Sequence, residues 1–353
     1  MSRLRLSCVD RWMYVVPAVV GLTAMAGCSP KEEAAVPVAT PPAAAAAQAP
    51  VREITQISGE LYRVRNNAHY TVFLVTPEGI ILGDPINAEA AAWLKGELAQ
   101  RFNLPVRYVV YSHHHWDHAA GAAVFNDTAE LIGHENMPGA IQAYSAGLSG
   151  DLVAQDRNGN NQLERDEAQG GMAAQFDFFD RNGDGGITAA EIIAEVVPPE
   201  STYSGSRTLT LGGKTVQLVH PGNNHSTDST VLYFPAERAA FGVDFIGVKR
   251  LPGGLLGGGT YEEWINSLKA VEALDFDSFL PGHGPWGSKA DVAAFRQYGE
   301  DLRTAVLEGI KAGKTVDELK ASIMMEPYRE FENYGIWREQ TIEQAYQLLK
   351  EGV

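Results

Sequence analysis

Short runs in which apolar residues alternate with polar ones, or follow one another without interruption, begin at Arg52 and recur along most of the chain. Residues 60–65, 70–75 and 79–82 are such runs, broken by Asn-Asn, Pro-Glu-Gly and Asp-Pro, and they read as meandering strands. A helical stretch follows over 88–102. Residues 106–111 are then an unbroken β-branched and aromatic run, the pattern of a strand buried on both faces. Residues 119–125 read as a short helix, and strands return at 207–211, 215–219, 230–234 and 239–243. Helical patterns cover 262–274, 291–310 and 341–350. Two series of strands, each followed by helices, predict two sheets packed face to face with helices outside.

Three segments depart from this pattern. In residues 1–28, Arg3, Arg5 and Arg11 lie before an apolar stretch from Met13 to Ala26 that is short and rich in small residues, as in a secretory signal peptide. Residues 29–50 collapse to Ala and Pro with a few charges and read as an extended tether. Residues 150–198 are dominated by Asp, Asn, Gly and Gln, and behave as an insertion between the two strand series. The main domain is thus expected over 51–290, followed by C-terminal helices over 291–353 in which Tyr328, Phe331, Tyr334 and Trp337 serve packing, with a substrate wall as the second reading.

At 353 residues the chain can bury a full-sized core, and its formal charge of −16 is spread through apparently folded segments, which argues against a nucleic-acid partner. Cys8 and Cys28 are the only cysteines, and Cys8 lies in the signal, so stability is expected from packing and metals without an intrachain disulfide. Met25-Ala26-Gly27-Cys28 resembles a bacterial lipoprotein cleavage box, which implies lipidation of Cys28 and a periplasmic protein anchored to a membrane. The competing reading is cleavage after Ala24-Met25-Ala26, which leaves Cys28 a free thiol.

The strongest chemical signal is Tyr111-Ser112-His113-His114-His115-Trp116-Asp117-His118. Residues two apart in an extended segment share a face, so His113 and His115 can grip one metal while His114 faces away. Asp117 and His118 turn with the chain toward a second metal. Imidazole and carboxylate suit zinc, but four residues cannot complete two coordination shells. Candidates for the remainder follow later strands or occupy Gly/Pro turns: His225, Asp244 and His283 in Pro281-Gly282-His283-Gly284. His69, His114, His134 and His220 read as packing or hydrogen-bonding residues, and Trp116 as packing beside the cluster.

His113-x-His115-x-Asp117-His118, then a lone histidine, a lone aspartate and the Pro-Gly-His-Gly turn in that order, resembles the metallo-β-lactamase-fold hydrolases. The resemblance spans about Arg52 to Ser288, outside the insertion. It implies an α+β fold, an αββα sandwich with the site at one edge of the sheets. It also implies that His113, His115 and His225 hold one metal, that Asp117, His118 and His283 hold the other, and that Asp244 bridges them. Asp84, in Gly83-Asp84-Pro85, matches the family's early buried aspartate and is expected to orient a ligand histidine. Two zinc ions would provide hydroxide near neutral pH to attack an ester, thioester, lactam or related bond, with Asp117 orienting it. Asp244 stands where many lactamases of the fold have cysteine or serine, which counts against a dedicated lactamase. Lys249 and Arg250 read equally as anion binders or as a solvated basic pair, and the Gly-rich segment 251–259 as a border of the site's mouth. Iron or manganese would suit the same donors, and the fold also supports iron-dependent sulfur oxygenation, usually at one metal.

The insertion carries a second motif. Asp156, Asn158, Asn160, Gln162, Glu164 and Glu167 place oxygen ligands as an EF-hand calcium loop requires, and Asp180, Asn182, Asp184, Gly186, Thr188 and Glu191 repeat the pattern. Gly185 occupies the sharp turn in the second loop and Asn161 in the first, so the second site is expected to be the better one. A structural clamp is favoured over a calcium switch. A calcium-dependent binding or scaffolding lipoprotein is the remaining alternative to an enzyme.

Overall fold

A computed structural model of the chain describes residues 49–350 apart from residue 256. The expected signal peptide, Cys28 and nearly all of the tether lie outside these residues. In the first sheet, β1 (Arg52–Ser58), β2 (Leu61–Asn66), β3 (His69–Thr76) and β4 (Gly79–Leu82) form an antiparallel meander. β5 (Val106–Val110) and β6 (Glu130–His134) then add in parallel. Two short strands, β7 (Leu163–Glu164) and β8 (Gly186–Ile187), pair with each other, and β9 (Ser201–Tyr203) completes the sheet beside β6. The second sheet runs in sequence order through β10 (Ser206–Leu211), β11 (Lys214–Val219), β12 (Val231–Phe234), β13 (Ala239–Phe241), β14 (Ser278–Leu280) and β15 (Gly287–Ser288).

The period-2 alternation of β3 sorts its side chains between two layers. Val72 and Leu74 join Leu218, Leu232 and Phe241 in the core between the sheets. Phe73 and Val75 face the other way, onto Leu94 and Leu98 of helix α1 (Ala88–Phe102). On the far side, Val231 and Ala240 pack against Trp264 and Phe295 from the helices Tyr261–Glu272 and Lys289–Lys311. Helix, sheet, sheet and helix therefore stack in four layers, as the strand series implied.

Helix α1 has the bounds its pattern predicted: Asn87 accepts a hydrogen bond from the Ala90 N–H at its start, and Asn103 ends it at φ 51°. The expected helix over 119–125 is instead two pieces, an α-helical turn at Trp116–Ala119 and a 3₁₀ turn at Ala122–Phe125. Gly121 separates them at φ 89°, and a Cβ there would lie 2.4 Å from the Asn87 carbonyl carbon. Close packing of backbone on backbone breaks the helix, which apolar spacing alone does not reveal.

The insertion packs around its own core. Leu163 pairs with Ile187 across β7 and β8, and both are buried with Met172, Phe176, Phe179 and Ile192. Trp116 lies edge-on to Phe179 with ring centroids 4.8 Å apart, so the expected packing role of Trp116 is to seat the insertion beside the histidine cluster. The C-terminal segment forms the helices Lys289–Lys311, Val316–Ser322 and Tyr334–Leu349.

Candidate metal centre

β5 ends at Val110 and the chain bends at Ser112 and His114 before His115, whose φ and ψ are −61° and 141°, and turns helical at Trp116. His113 and His115 therefore project from the bent segment after β5, and Asp117 and His118 from a helical turn. His225 lies in the loop joining β11 to β12, Asp244 follows β13, and His283 follows β14. Asp244 sits at φ 66°, a conformation that aspartate and asparagine tolerate better than other non-glycine residues.

These seven side chains converge in two groups. His113, His115, His225 and Asp244 form one, and Asp117, His118, Asp244 and His283 the other, with the candidate donor atoms of each group within 4.8 Å of one another. Asp244 belongs to both. Its Oδ2 lies 3.6 Å from His113 Nε2, 3.6 Å from His225 Nε2 and 3.2 Å from His118 Nε2, while Oδ1 is 3.3 Å from His283 Nε2. His225 Nε2 approaches His115 Nδ1 at 3.0 Å, and His118 Nε2 approaches His283 Nε2 at 3.2 Å. Donors about 2.0–2.1 Å from a tetrahedral zinc are roughly 3.3 Å apart, so these spacings fit cation shells. His113 Nε2 and Asp244 Oδ1 are also buried without a hydrogen-bond partner, as donors reserved for a cation would be.

Burial, reinforced by neighbouring imidazoles, holds His113 well below its ordinary pKa and brings His115 down to about 3. Both are therefore neutral, the form that binds metal. Burial opposes ionisation of Asp117 and Asp244, but His118 and the other imidazoles around them keep both far below the usual carboxylate range. Burial likewise opposes charge on His118, yet Asp244, Asp117 and Asp84 outweigh it and raise His118 to about 10. Asp84 is fully buried, which pushes it up to about 6 against the lowering effects of His118 and Ser112.

The far sides of the rings are also held. Ser112 Oγ is 2.9 Å from His113 Nδ1, and His283 Nδ1 donates to the Ala68 carbonyl at 3.1 Å. Asp84 accepts from the Ser112 N–H at 2.7 Å through Oδ1, with Oδ2 3.6 Å from His118 Nδ1. Asp84 thus faces a cluster histidine, at a separation longer than a hydrogen bond. His114 turns away as expected and meets Asp228 at 2.9 Å, and His134 stacks on His220 at 3.9 Å.

His69 is the residue whose importance the sequence concealed. It does act as a hydrogen-bonding residue, but its Nε2 lies 3.3 Å from Asp117 Oδ2, and its ring contacts those of His118 and His283. It stands at the start of β3, bridged to His283. Nothing in its neighbourhood on the chain marks that pairing. Outer partners of metal ligands are worth about 10–100-fold in metal affinity or activity. His69→Ala is therefore expected to weaken binding of the Asp117-side cation by that factor, read by titration with a competing chelator; unchanged affinity would refute the role.

The Gly-rich segment does border the site: Gly253, Gly254 and Gly257 line the cavity at the cluster. Gly257 is required for contact, because a Cβ there would lie 1.9 Å from the His225 carbonyl oxygen.

In the first insertion loop, Asp156 Oδ1 accepts from the Gly159 N–H, Asn158 from Asn160, Asn160 from Gln162, and buried Glu167 from Arg157. Glu164 faces inward onto Asn158 and Asn160. In the second, Asp180 accepts from Gly185, Asn182 from Asp184, Asp184 from Gly186, and Glu191 from Arg181 and Thr188. Asp180 Oδ1 is buried there without a partner. Asn161 and Gly185 take the left-handed turns at φ 65° and 90°.

A four-layer sandwich carrying a His/Asp cluster suited to divalent cations defines the class of protein. The sequence profile of the metallo-beta-lactamase superfamily matches residues 68–283, and the chain belongs to that superfamily. It is 22% identical over 273 residues to a 2,4-dinitroanisole O-demethylase subunit alpha from Nocardioides sp. (strain JS1661), covering 74% of this chain and 66% of that one. It is 24% identical over 265 residues to a linear primary-alkylsulfatase from Pseudomonas sp. (strain ATCC 19151), covering 71% and 49%. The chain thus spans about two thirds and one half of these curated relatives. Among solved structures, a metallo-beta-lactamase from Pontibacter korlensis aligns with a TM-score of 0.48 at 18% identity, covering 70% of this chain and 99% of that one. One from Hirschia baltica aligns with a TM-score of 0.48 at 13% identity, covering 70% and 96%.

Proposed function

We propose that this chain is an exported dinuclear zinc hydrolase acting on an ester, thioester, lactam or related bond. The observation that carries the reading is the placement of Asp244 in both donor groups, which suits it to bridge two cations. The His113, His115, His225 group would hold one ion and the Asp117, His118, His283 group the other. Bound divalent ions supply Lewis acidity and acidify water toward neutrality. The chain's own part is positional. Asp117, kept ionised, orients the attacking water and takes part in proton delivery to the leaving group. Ser112 and Ala68 hold the rings of His113 and His283 by hydrogen bonds, and the Asp84 carboxylate faces His118 at 3.6 Å. Asp244 argues against a dedicated lactamase, and neither curated relative is named for a lactam; sulfate, phosphate and carboxylic esters and thioesters come forward as substrates. Seven donors in two groups favour two ions over the single iron of a sulfur oxygenase.

The test is hydrolysis by the chain freed of transition metals and then reloaded, beginning with β-lactam ring opening and continuing through esters, thioesters, phosphate esters and sulfate esters, with Asp117→Ala as the blank. Chelation is expected to abolish activity and zinc to restore it. No activity above the blank on any substrate, with calcium as the only ion bound, would make the chain a scaffold.

The two insertion loops are proposed to bind calcium as a paired EF-hand, supported by their donor pattern and the Leu163–Ile187 pairing between them. Among the described residues no helix is long and apolar enough to cross a membrane. Attachment is proposed to come from lipidated Cys28. Cys28→Ala is then expected to move the protein from the membrane to the soluble periplasmic fraction, and an unchanged distribution would rule lipidation out.

A further inference from the structure

The cavity at the metal centre has a volume of about 820 Å³, and part of its wall comes from outside the sandwich. The insertion contributes Leu152 and Met172, from the short helices Asp151–Gln155 and Gly170–Ala174, beside Tyr144. The C-terminal helix Tyr334–Leu349 contributes Trp337, next to Leu251 of the Gly-rich segment. Leu152 and Met172 belong to the insertion's own apolar cluster, so both are backed by packed side chains. Ser149 and Gln344 also line the cavity, but Gln344 Oε1 already accepts from the Leu255 N–H, and the rest of this wall is mainly apolar. It suits an apolar body of the substrate that takes no part in the reaction.

Arg250 brings a cationic group to this wall. It lines the same cavity, its guanidinium lies 4.8 Å over the Trp337 ring, and its Nε is buried without a hydrogen-bond partner. Among the described residues no carboxylate forms an ion pair with it. Its backbone is fixed, because the Leu251 N–H donates to the Glu332 carbonyl and the Glu332 N–H to that of Lys249. A guanidinium stacked on an indole, held in place and lacking an anion, is arranged to receive an oxyanion.

We propose that the substrate is an anionic amphiphile: an apolar chain or ring held between Leu152 and Met172 on one side and Trp337 on the other, with its oxyanion at Arg250. The insertion is then the element that selects the substrate. This rests on the hydrolase reading for the location of the reacting bond, but binding can be measured without turnover.

The experiment is calorimetric titration of the zinc-loaded full chain with butanesulfonate, octanesulfonate and octanol, none of which is a hydrolysable ester. Each buried methylene strengthens binding severalfold and a charge-assisted hydrogen bond adds about 10–100-fold. Octanesulfonate is expected to bind at least ~10-fold more tightly than butanesulfonate. Arg250→Gln should weaken octanesulfonate by about 10–100-fold and leave octanol unchanged. Leu152→Asp and Met172→Asp should erase the chain-length dependence. Circular dichroism and zinc content would show that the variants are folded and loaded. Equal affinity for the two sulfonates, or an Arg250→Gln protein that binds octanesulfonate like the wild type, overturns the proposal. Tight, Arg250-dependent binding with no hydrolysis of any ester would instead keep the subsite and remove the hydrolase reading.

Discussion

Asp244→Asn is expected to lower kcat/KM by at least about 10²–10³-fold, the scale of losing one preorganised electrostatic group from an active site. Metal content should fall below two ions per chain. Asparagine is the informative replacement because Asp244 occupies φ 66°, where an alanine would add backbone strain to the loss of charge. The asparagine keeps the shape and the turn and removes the negative charge that faces His113, His118, His225 and His283. An effect of this size is then a measure of the carboxylate. Elemental analysis after dialysis, alongside steady-state kinetics, decides the matter. Two retained ions and wild-type turnover would mean that Asp244 does not bridge, and the dinuclear reading would fall with it.

The grouping of the donors was legible in the sequence because it depends on local geometry. His113 and His115, two apart, fall in one donor group despite the bends at Ser112 and His114, and the following helical turn re-aims Asp117 and His118. The convergence of His225, Asp244 and His283 was not legible from spacing, and came from the order of motifs in a known family. The structure places them together because β11, β13 and β14 end on the side where β5 delivers its histidines. His69 escaped both routes. It follows Asn66-Asn67-Ala68 at the start of an ordinary strand, and only the bridge to His283 brings it to Asp117.

The strands divide in a similar way. Runs with clear alternation, such as β3 and β11, appear in the pattern because one face of each is sorted from the other by burial. β1, β6, β9 and β14 do not stand out: β1 is an edge strand without clear alternation, and the other three are short and pair in parallel with partners distant in sequence. In the sequence Trp337 reads first as packing and only second as a substrate wall, because an aromatic residue on a helix usually packs. Its position over Arg250 at the cavity depends on how the C-terminal helix docks, which no local pattern encodes.

Calcium is expected to stabilise the chain strongly and to leave the chemical step alone. At a Kd of about 10⁻⁴ M, ordinary for extracellular modules, 10 mM calcium is about a hundredfold excess and contributes roughly 2.7 kcal/mol per site. The expected result is a rise in Tm of several degrees, larger for the second loop, where Gly185 makes the turn and Asp180 Oδ1 awaits a partner. Glu191→Gln should therefore remove more of the rise than Glu167→Gln. Effects on catalysis are limited by the route the packing allows. Phe179 immediately precedes Asp180 and carries Trp116, which lies between His115 and Asp117, but those two side chains are also held by their own cluster. Met172 and Leu152, by contrast, line the cavity and belong to the insertion's apolar cluster. Removing calcium should then raise KM for apolar substrates at nearly constant kcat. A change in kcat with no shift in Tm would point to a switch, and a Tm indifferent to 10 mM calcium would mean that the loops hold their shape through the Asx hydrogen bonds alone.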